Sequence, residues 1–309
     1  MAFSTPVLFL VFNRPLHTQK VIARLRQIQP QSLFVSADGP RPEKDGEAGL
    51  CQAVRDVIGT IDWPCDIQTR YLETNKGCRE AVQTGIDWFF SQVEGGIILE
   101  DDCLPDLTFF DFCETLLSKY RDDPSVMHIG GYNPSPGDFK QISYSYIFSK
   151  HPMIWGWASW RRAWAQNRAH FEGLEAALKN PNGPIHTLDR NPTANRYVLD
   201  KFVRVKKGEI NTWDYAWFYT LLIAEGLAIV PKVNLVENIG FDAAATHTKS
   251  GHFSAGTAAK AMPFPLVHPP DKRLSPRLES RIFRSAQKNS LGLLLRRLFP
   301  TVFFKDLNL

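Results

Sequence analysis

Gly95-Gly96-Ile97-Ile98-Leu99-Glu100-Asp101-Asp102-Cys103-Leu104-Pro105 is the stretch on which the reading of this chain turns. A short apolar run opened by glycines predicts a buried strand, and it ends abruptly in three consecutive acids. Adjacent carboxylates repel one another unless a cation lies among them. At the carboxyl end of a strand in an open α/β sheet, where ligands bind, such a cluster is placed to hold a divalent metal on a phosphate. A solvated acidic turn is the competing reading of these residues taken alone.

Upstream, strand and helix signals alternate. Val7 to Phe12 is a continuous apolar run and predicts a central strand. Pro15 can open the next helix, because it sits where a backbone N–H would be unpaired anyway, and Val21, Leu25 and Ile28 share a helical face. Ser32 to Ala37 predicts the second strand. A loop with Pro40, Pro42 and Gly46 leads into a helix carrying Val54 and Ile58. Asp66 to Leu72 predicts the third strand, Gly77 to Phe90 the third helix and Gly96 to Leu99 the fourth strand. Such alternation implies parallel pairing with right-handed crossovers, a doubly wound sheet. Downstream, Asp106 to Tyr120 predicts a helix with Phe109, Phe112, Leu116 and Tyr120 on its apolar stripe, and Ser125 to Gly130 a further short strand. Beyond that the alternation decays into a region rich in Gly, Pro, Tyr and Trp. The expected division is a nucleotide-binding Rossmann-like half (1–130), an acceptor-binding half on the same sheet (131–260) and a basic extension (261–309).

The chain has 309 residues, 44% hydrophobic and 22% charged, with a formal net charge of +4. Residues 277–309 hold seven Lys and Arg against Glu279 and Asp306, so the basic excess is local to the tail. That argues against a nucleic-acid-binding face on the main body. Five scattered cysteines without a C-x-x-C pair read as reduced thiols. The amino terminus lacks the pattern of a signal peptide, and no segment approaches the ~18 apolar residues of a membrane span. The expected location is therefore the cytoplasm.

Four successive predicted strand ends carry polar groups: Asn13-Arg14, Asp38, Lys76-Gly77-Cys78-Arg79 and Glu100-Asp101-Asp102. In a parallel sheet these ends share one edge, which would bring cations for phosphate together with acids for nucleoside and metal. Each has a plainer reading alone, as a helix cap, a turn residue or a surface charge. No G-x-G-x-x-G follows the first strand, and neither a G-x-x-x-x-G-K-[ST] loop nor a G-x-S-x-G elbow occurs, which disfavours a dinucleotide dehydrogenase, a P-loop ATPase and an α/β-hydrolase. Met153 to Trp164 holds four tryptophans, more often core than ligand platform. Asn211 to Trp217 sets Asp214 among aromatics at the start of an apolar helix, either as a helix-dipole acid or as a desolvated general base. Ala245 to His252 is a small-residue loop whose His247 could meet an anion or a metal.

In this order the residues resemble the GT-A glycosyltransferases, most closely the inverting N-acetylglucosaminyltransferase I group (glycosyltransferase family 13) and its bacterial relatives, over roughly Pro6 to Gly251. The resemblance is carried by Asn13-Arg14, Ser36-x-Asp38, Lys76-Gly77, Glu100-Asp101-Asp102 with Pro105-Asp106 and Phe109-Phe110, Gly156-Trp157, Trp213-Asp214 and the His247 loop. It implies an α/β GT-A fold, a mixed sheet with helices on both faces. It further implies that Arg14 and Asp38 bind the nucleotide, with Asn13, Lys76, Gly77, Arg79 and Trp157 in the same donor site. Glu100 and Asp101 would touch the ribose or sugar, Asp102 would ligate Mn²⁺ or Mg²⁺, Asp214 would deprotonate the acceptor, and His247 would help hold the diphosphate or metal. The expected activity is transfer of a sugar from a nucleoside diphosphate donor, a UDP-sugar in the favoured case, to a glycan or lipid-linked acceptor. The alternatives are a sugar-nucleotide nucleotidyltransferase and a non-catalytic glycan-binding protein. In the tail, Leu278, Ile282, Leu291, Leu294, Leu295 and Leu298 lie among basic residues, as in an amphipathic helix on the inner face of an anionic membrane, or in a helix docked on the body or forming a dimer seam.

Overall fold

A computed structural model describes residues 3–190, 192–240 and 257–286. The first half alternates as its sequence predicts: β1 (Val7–Val11), α1 (Pro15–Ile28), β2 (Ser32–Ala37), α2 (Glu47–Ile58), β3 (Asp66–Tyr71), α3 (Gly77–Gln92) and β4 (Gly95–Glu100). These four strands pair in parallel, in spatial order β3-β2-β1-β4. Val7, Phe9 and Val11 face one side of the sheet, where α1, α2 and α4 (Thr108–Lys119) cover them. Leu8 and Leu10 face the other, against α3, α5 (Arg161–Trp164) and α8 (Asp214–Ile223). Alternate residues of a strand point to opposite faces, so a strand covered on both sides must be apolar throughout, as β1 is.

The second half continues the same sheet. Beyond β4 come β8 (Trp157–Trp160), β6 (Val126–Gly130), β9 (Leu227–Pro231) and β7 (Tyr146–Ser149). β8 runs antiparallel to both β4 and β6, and β6 pairs in parallel with β9. The molecule is thus a mixed α/β sheet of eight strands, mostly parallel, with helices on both faces. A separate antiparallel ribbon joins β5 (Cys103–Pro105) to β10 (Val236–Asn238). A third core under α6 (Leu174–Lys179), α7 (Pro192–Lys206) and α8 centres on Phe171, Phe202 and Tyr219.

Helix 276–286 lies on the body, with Ile282 and Phe283 buried and the Glu279 carboxylate accepting a bond from the Lys150 N–H at 2.8 Å. Ser280 Oγ donates to Asp189 at 2.7 Å. Over these residues the tail's apolar stripe meets the body, not a lipid surface. The expectation for 287–309 lies outside the described residues. No helix among the described residues is long and apolar enough to cross a membrane.

Candidate active site

The carboxyl ends of β1, β2 and β4 surround a cavity of about 460 Å³. Its lining includes Phe12, Asn13, Arg14, Asp38, Arg41, Gly77, Cys78, Glu100, Asp101, Asp102 and Asn211, so most of the polar strand-end residues meet there. They converge because β1 pairs with both β2 and β4 in register: Val11 lies opposite Ala37, and Leu10 opposite Glu100.

Arg14 holds the acid cluster together. Its Nη1 lies 2.9 Å from Asp102 Oδ2 and 3.8 Å from Asp101 Oδ1. Asp101 also accepts the Phe12 N–H at 3.3 Å. Burial and then the neighbouring Asp102 charge push the Asp101 carboxyl up to about 7, with Arg14 opposing. Glu100 is raised well above the usual carboxylate range, by burial first and then by Asp102, Asp101 and Asp214. One guanidinium does not neutralise three acids in a partly desolvated cleft. The backbone behind them is closed by the ribbon: the Ile239 N–H donates to the Asp102 carbonyl at 2.8 Å. Gly240 is packed so tightly that a Cβ there would come within 2.4 Å of Asp102 Oδ2.

Asp38 reaches the cavity, but its carboxylate is already occupied. It accepts N–H groups from Gly39 at 2.8 Å, Lys76 at 2.9 Å and Gly77 at 3.2 Å, and the Asn75 amide at 2.9 Å. Four donors fill a carboxylate's lone-pair positions. Asp38 therefore fixes the turn that starts α3. Gly77 has φ +77°, and a Cβ on it would lie 2.6 Å from Asn211 Nδ2, so both the backbone and the packing call for glycine. Asn211 Oδ1 in turn accepts the Arg79 N–H at 3.0 Å.

Several expected donor-site residues are placed elsewhere. The Arg79 guanidinium donates to the carbonyls of Val205 at 3.0 Å and Ala169 at 2.7 Å, tying α3 to the third core. Lys76 forms an exposed i,i+4 pair with Glu80. Trp157 has 0% exposure and lies stacked between His128, 5.0 Å away, and Trp213, 5.6 Å away. The Arg79 guanidinium and the Trp157 ring are committed within the protein, whereas the Lys76 ammonium stays largely exposed beside Glu80. His247 lies outside the described residues.

Asp214 opens α8 beside the cavity. The Thr212 hydroxyl donates to its Oδ1, and burial raises its carboxyl above the usual range. Its charge reaches both Glu100 and Cys78. The Cys78 thiol is pushed up, first by desolvation and then by the charges of Glu100, Asp214, Asp102 and Asp38. Two residues that shape this site carry a weaker sequence signal. Asn211 is a loop residue two before an aromatic run, and Arg41 sits in a breaker-rich loop. The neighbouring prolines and Glu47, six residues on, were the only hint that Arg41 is held in place.

No three His, Cys, Asp or Glu side chains among the described residues form a ready cage for a metal ion. The charge of the lining nevertheless suits a divalent cation. Asp38, Glu100, Asp101 and Asp102 face Arg14 and Arg41, and each of those cations is already paired with an acid.

No protein-family model matches the chain, and no curated protein does. Among solved structures it is similar to an apo UDP-glucose pyrophosphorylase, at 9% identity over 75% of this chain and 93% of that one, with a TM-score of 0.37. It is also similar to mouse xyloside xylosyltransferase 1 in its apo form, at 10% identity over 71% and 81% of the two chains and a TM-score of 0.34. A third similarity is to the 4-diphosphocytidyl-2C-methyl-D-erythritol synthase of Anaerococcus prevotii, at 9% identity over 63% and 84% and a TM-score of 0.34. At such values the chemistry of this chain has to be read from its own residues.

Proposed function

We propose that the protein is an inverting glycosyltransferase of GT-A type, using a nucleoside diphosphate sugar, a UDP-sugar in the favoured case, and a glycan or lipid-linked acceptor hydroxyl. The observation that carries this reading is the acidic cavity at the ends of β1, β2 and β4 with Asp214 standing beside it on a different helix. In a single displacement the bond from the anomeric carbon to the diphosphate breaks as the acceptor oxygen forms its own bond from the opposite side. The acceptor proton passes to the Asp214 carboxylate. Burial strengthens Asp214 as a base, and the Thr212 hydroxyl fixes its orientation. Glu100 and Asp101 hydrogen-bond the sugar or ribose.

Asp102 would hold Mn²⁺ or Mg²⁺ together with the donor's own phosphates, since the cleft supplies excess negative charge but no complete ligand set. When bound, the ion offsets the charge that develops on the leaving diphosphate. Arg14, which pairs with Asp102, would face the same phosphates.

The test is turnover of a nucleotide-sugar panel with and without Mn²⁺, for the wild type, Asp102→Ala and Asp214→Asn. Wild-type turnover should require the cation. Asp102→Ala should lose cation-dependent donor affinity. Asp214→Asn should keep donor binding while transfer falls by roughly 10²–10⁴-fold, the usual contribution of a general base. Formation of a nucleoside triphosphate from nucleotide sugar and pyrophosphate would assign the site to nucleotidyl transfer instead. If no nucleotide sugar binds or reacts with any divalent cation, the enzyme reading fails.

A further inference from the structure

The first turn of α3 is capped from two distant places in the chain. Lys76 stands at the cap position and makes no side-chain bond to the helix. The Asp38 carboxylate takes the Lys76 and Gly77 N–H groups instead, and the Asn211 amide oxygen takes that of Arg79 at 3.0 Å. The first four N–H groups of a helix have no partner within it, so bonds of this kind decide what the helix start is held against. Asp38 follows β2, on the donor side of the cavity. Asn211 lies in the connection from α7 to α8, three residues before Asp214. Both line the cavity.

Arg79 grips that connection at two points. Its N–H holds Asn211, and its guanidinium donates to the Val205 carbonyl at 3.0 Å, in the last turn of α7. On the other side, Trp213 stacks on Trp157 at 5.6 Å, which seats the connection on the second core. The Asn211 bond holds it against α3, in the direction of the donor turn. The contact is close: a Cβ on Gly77 would lie 2.6 Å from Asn211 Nδ2. The spacing matters for the transfer proposed above, because the charge of Asp214 reaches Glu100, and a base displaced by about 1 Å can lose about 10²-fold in rate.

We propose that Asn211 is a positioning residue which, by capping α3 through the Arg79 N–H, holds the loop that carries Asp214 at a fixed distance from the donor turn. This inference rests on the reading of Asp214 as the base and adds the residue that sets its place.

Hydrolysis of UDP-glucose, UDP-N-acetylglucosamine, GDP-mannose and dTDP-glucose by the full-length protein with Mn²⁺ tests it, water standing in for the acceptor. The fastest substrate is used throughout, beside isothermal titration of its nucleoside diphosphate with Mn²⁺. In Asn211→Ala, kcat should fall about 10–100-fold while the Kd for the nucleoside diphosphate, which also reports a folded cleft, stays within about twofold. Asn211→Asp keeps an acceptor oxygen for the Arg79 N–H at a helix end that favours a carboxylate, and should stay within about threefold of the wild type. In an Asp214→Asn background, Asn211→Ala should cost less than about twofold, because a residue that acts through Asp214 has nothing left to position. An equal loss in both backgrounds overturns the inference, as does an unchanged kcat in Asn211→Ala or an Asn211→Asp variant as slow as Asn211→Ala. A loss of nucleotide affinity that matches the loss of rate overturns it too, since Asn211 would then act on the donor directly. If Asp214→Asn alone hydrolyses as the wild type does, the base reading falls and this inference with it. If no member of the panel is hydrolysed, the nucleotide-sugar reading fails and takes both.

Discussion

Asp101 binds its proton more tightly in the folded chain than an exposed aspartate does, because burial and Asp102 outweigh Arg14. Between the ordinary carboxylate range and about pH 7 the folded state therefore carries more protons than the unfolded state, and stability must fall as pH rises across that window. Glu100 acts in the same direction. In metal-free buffer the melting temperature should drop from pH 5 to pH 8, and Mn²⁺ should restore much of the loss at pH 8. Asp101→Asn, which keeps an oxygen for the Phe12 N–H, should flatten the profile and stabilise the metal-free protein at pH 8 by roughly 1–3 kcal/mol. A flat wild-type profile would contradict this. The sequence made the gathering of Asn13, Arg14, Asp38 and the acids legible, because strand ends of a parallel sheet share an edge. It could not show that Asp38 is saturated by the turn at 75–77. Nor could it show that Arg79 answers to carbonyls in distant segments, because a cation's partners depend on packing far from it in sequence.

At the level of elements, α3 begins where three constraints coincide: the positive φ of Gly77, the cap from Asp38 and the reach of Asn211. Gly77→Ala should cost about 1–3 kcal/mol in chemical denaturation, part from the left-handed backbone and part from the collision with Asn211. In a double-mutant cycle, Asn211→Ala should recover the steric part and leave the backbone part; strict additivity would show that the two residues do not meet. The strand β8 escaped the sequence pattern for a definite reason. All four of its residues are buried, so no alternation survives, and its tryptophans resemble a stacking platform. In the structure Trp160 joins the first core and Trp157 the second, in which Trp217 Nε1 donates to His128 Nδ1 at 3.2 Å. Because the indole can only donate, His128 is the neutral tautomer with its proton on Nε2, which faces the Met153 carbonyl at 3.1 Å. Burial depresses its imidazolium to about 3. His128→Phe leaves a buried indole N–H without a partner and should cost roughly 2–4 kcal/mol. Since α8 carries Asp214, any effect on transfer should appear in kcat before KM.

Over the whole molecule, the amino-terminal strand-helix alternation predicted the parallel half closely. The mixed half became visible only through long-range pairing, since β8, β6, β9 and β7 are ordered in space quite differently from their order in sequence. Helix 276–286 likewise belongs to the body, seating Ile282 and Phe283. A chain ending before Pro276 should lose roughly 2–5 kcal/mol of stability in urea, the scale expected for removing two large buried side chains and their neighbours. An unaltered denaturation midpoint would place the helix outside the folded unit. The ribbon of β5 and β10 has a kinetic consequence. Asp102 takes its backbone partner from Ile239, more than a hundred residues later in synthesis. On the ribosome, the first four strands can pair while the rim behind the acids still lacks its second strand, and such late closure of a long loop is slow. The emerging amino-terminal half would then be a folding intermediate with its charges exposed and no finished cleft, so a severed 1–130 fragment should show ordered secondary structure and no affinity for nucleotide.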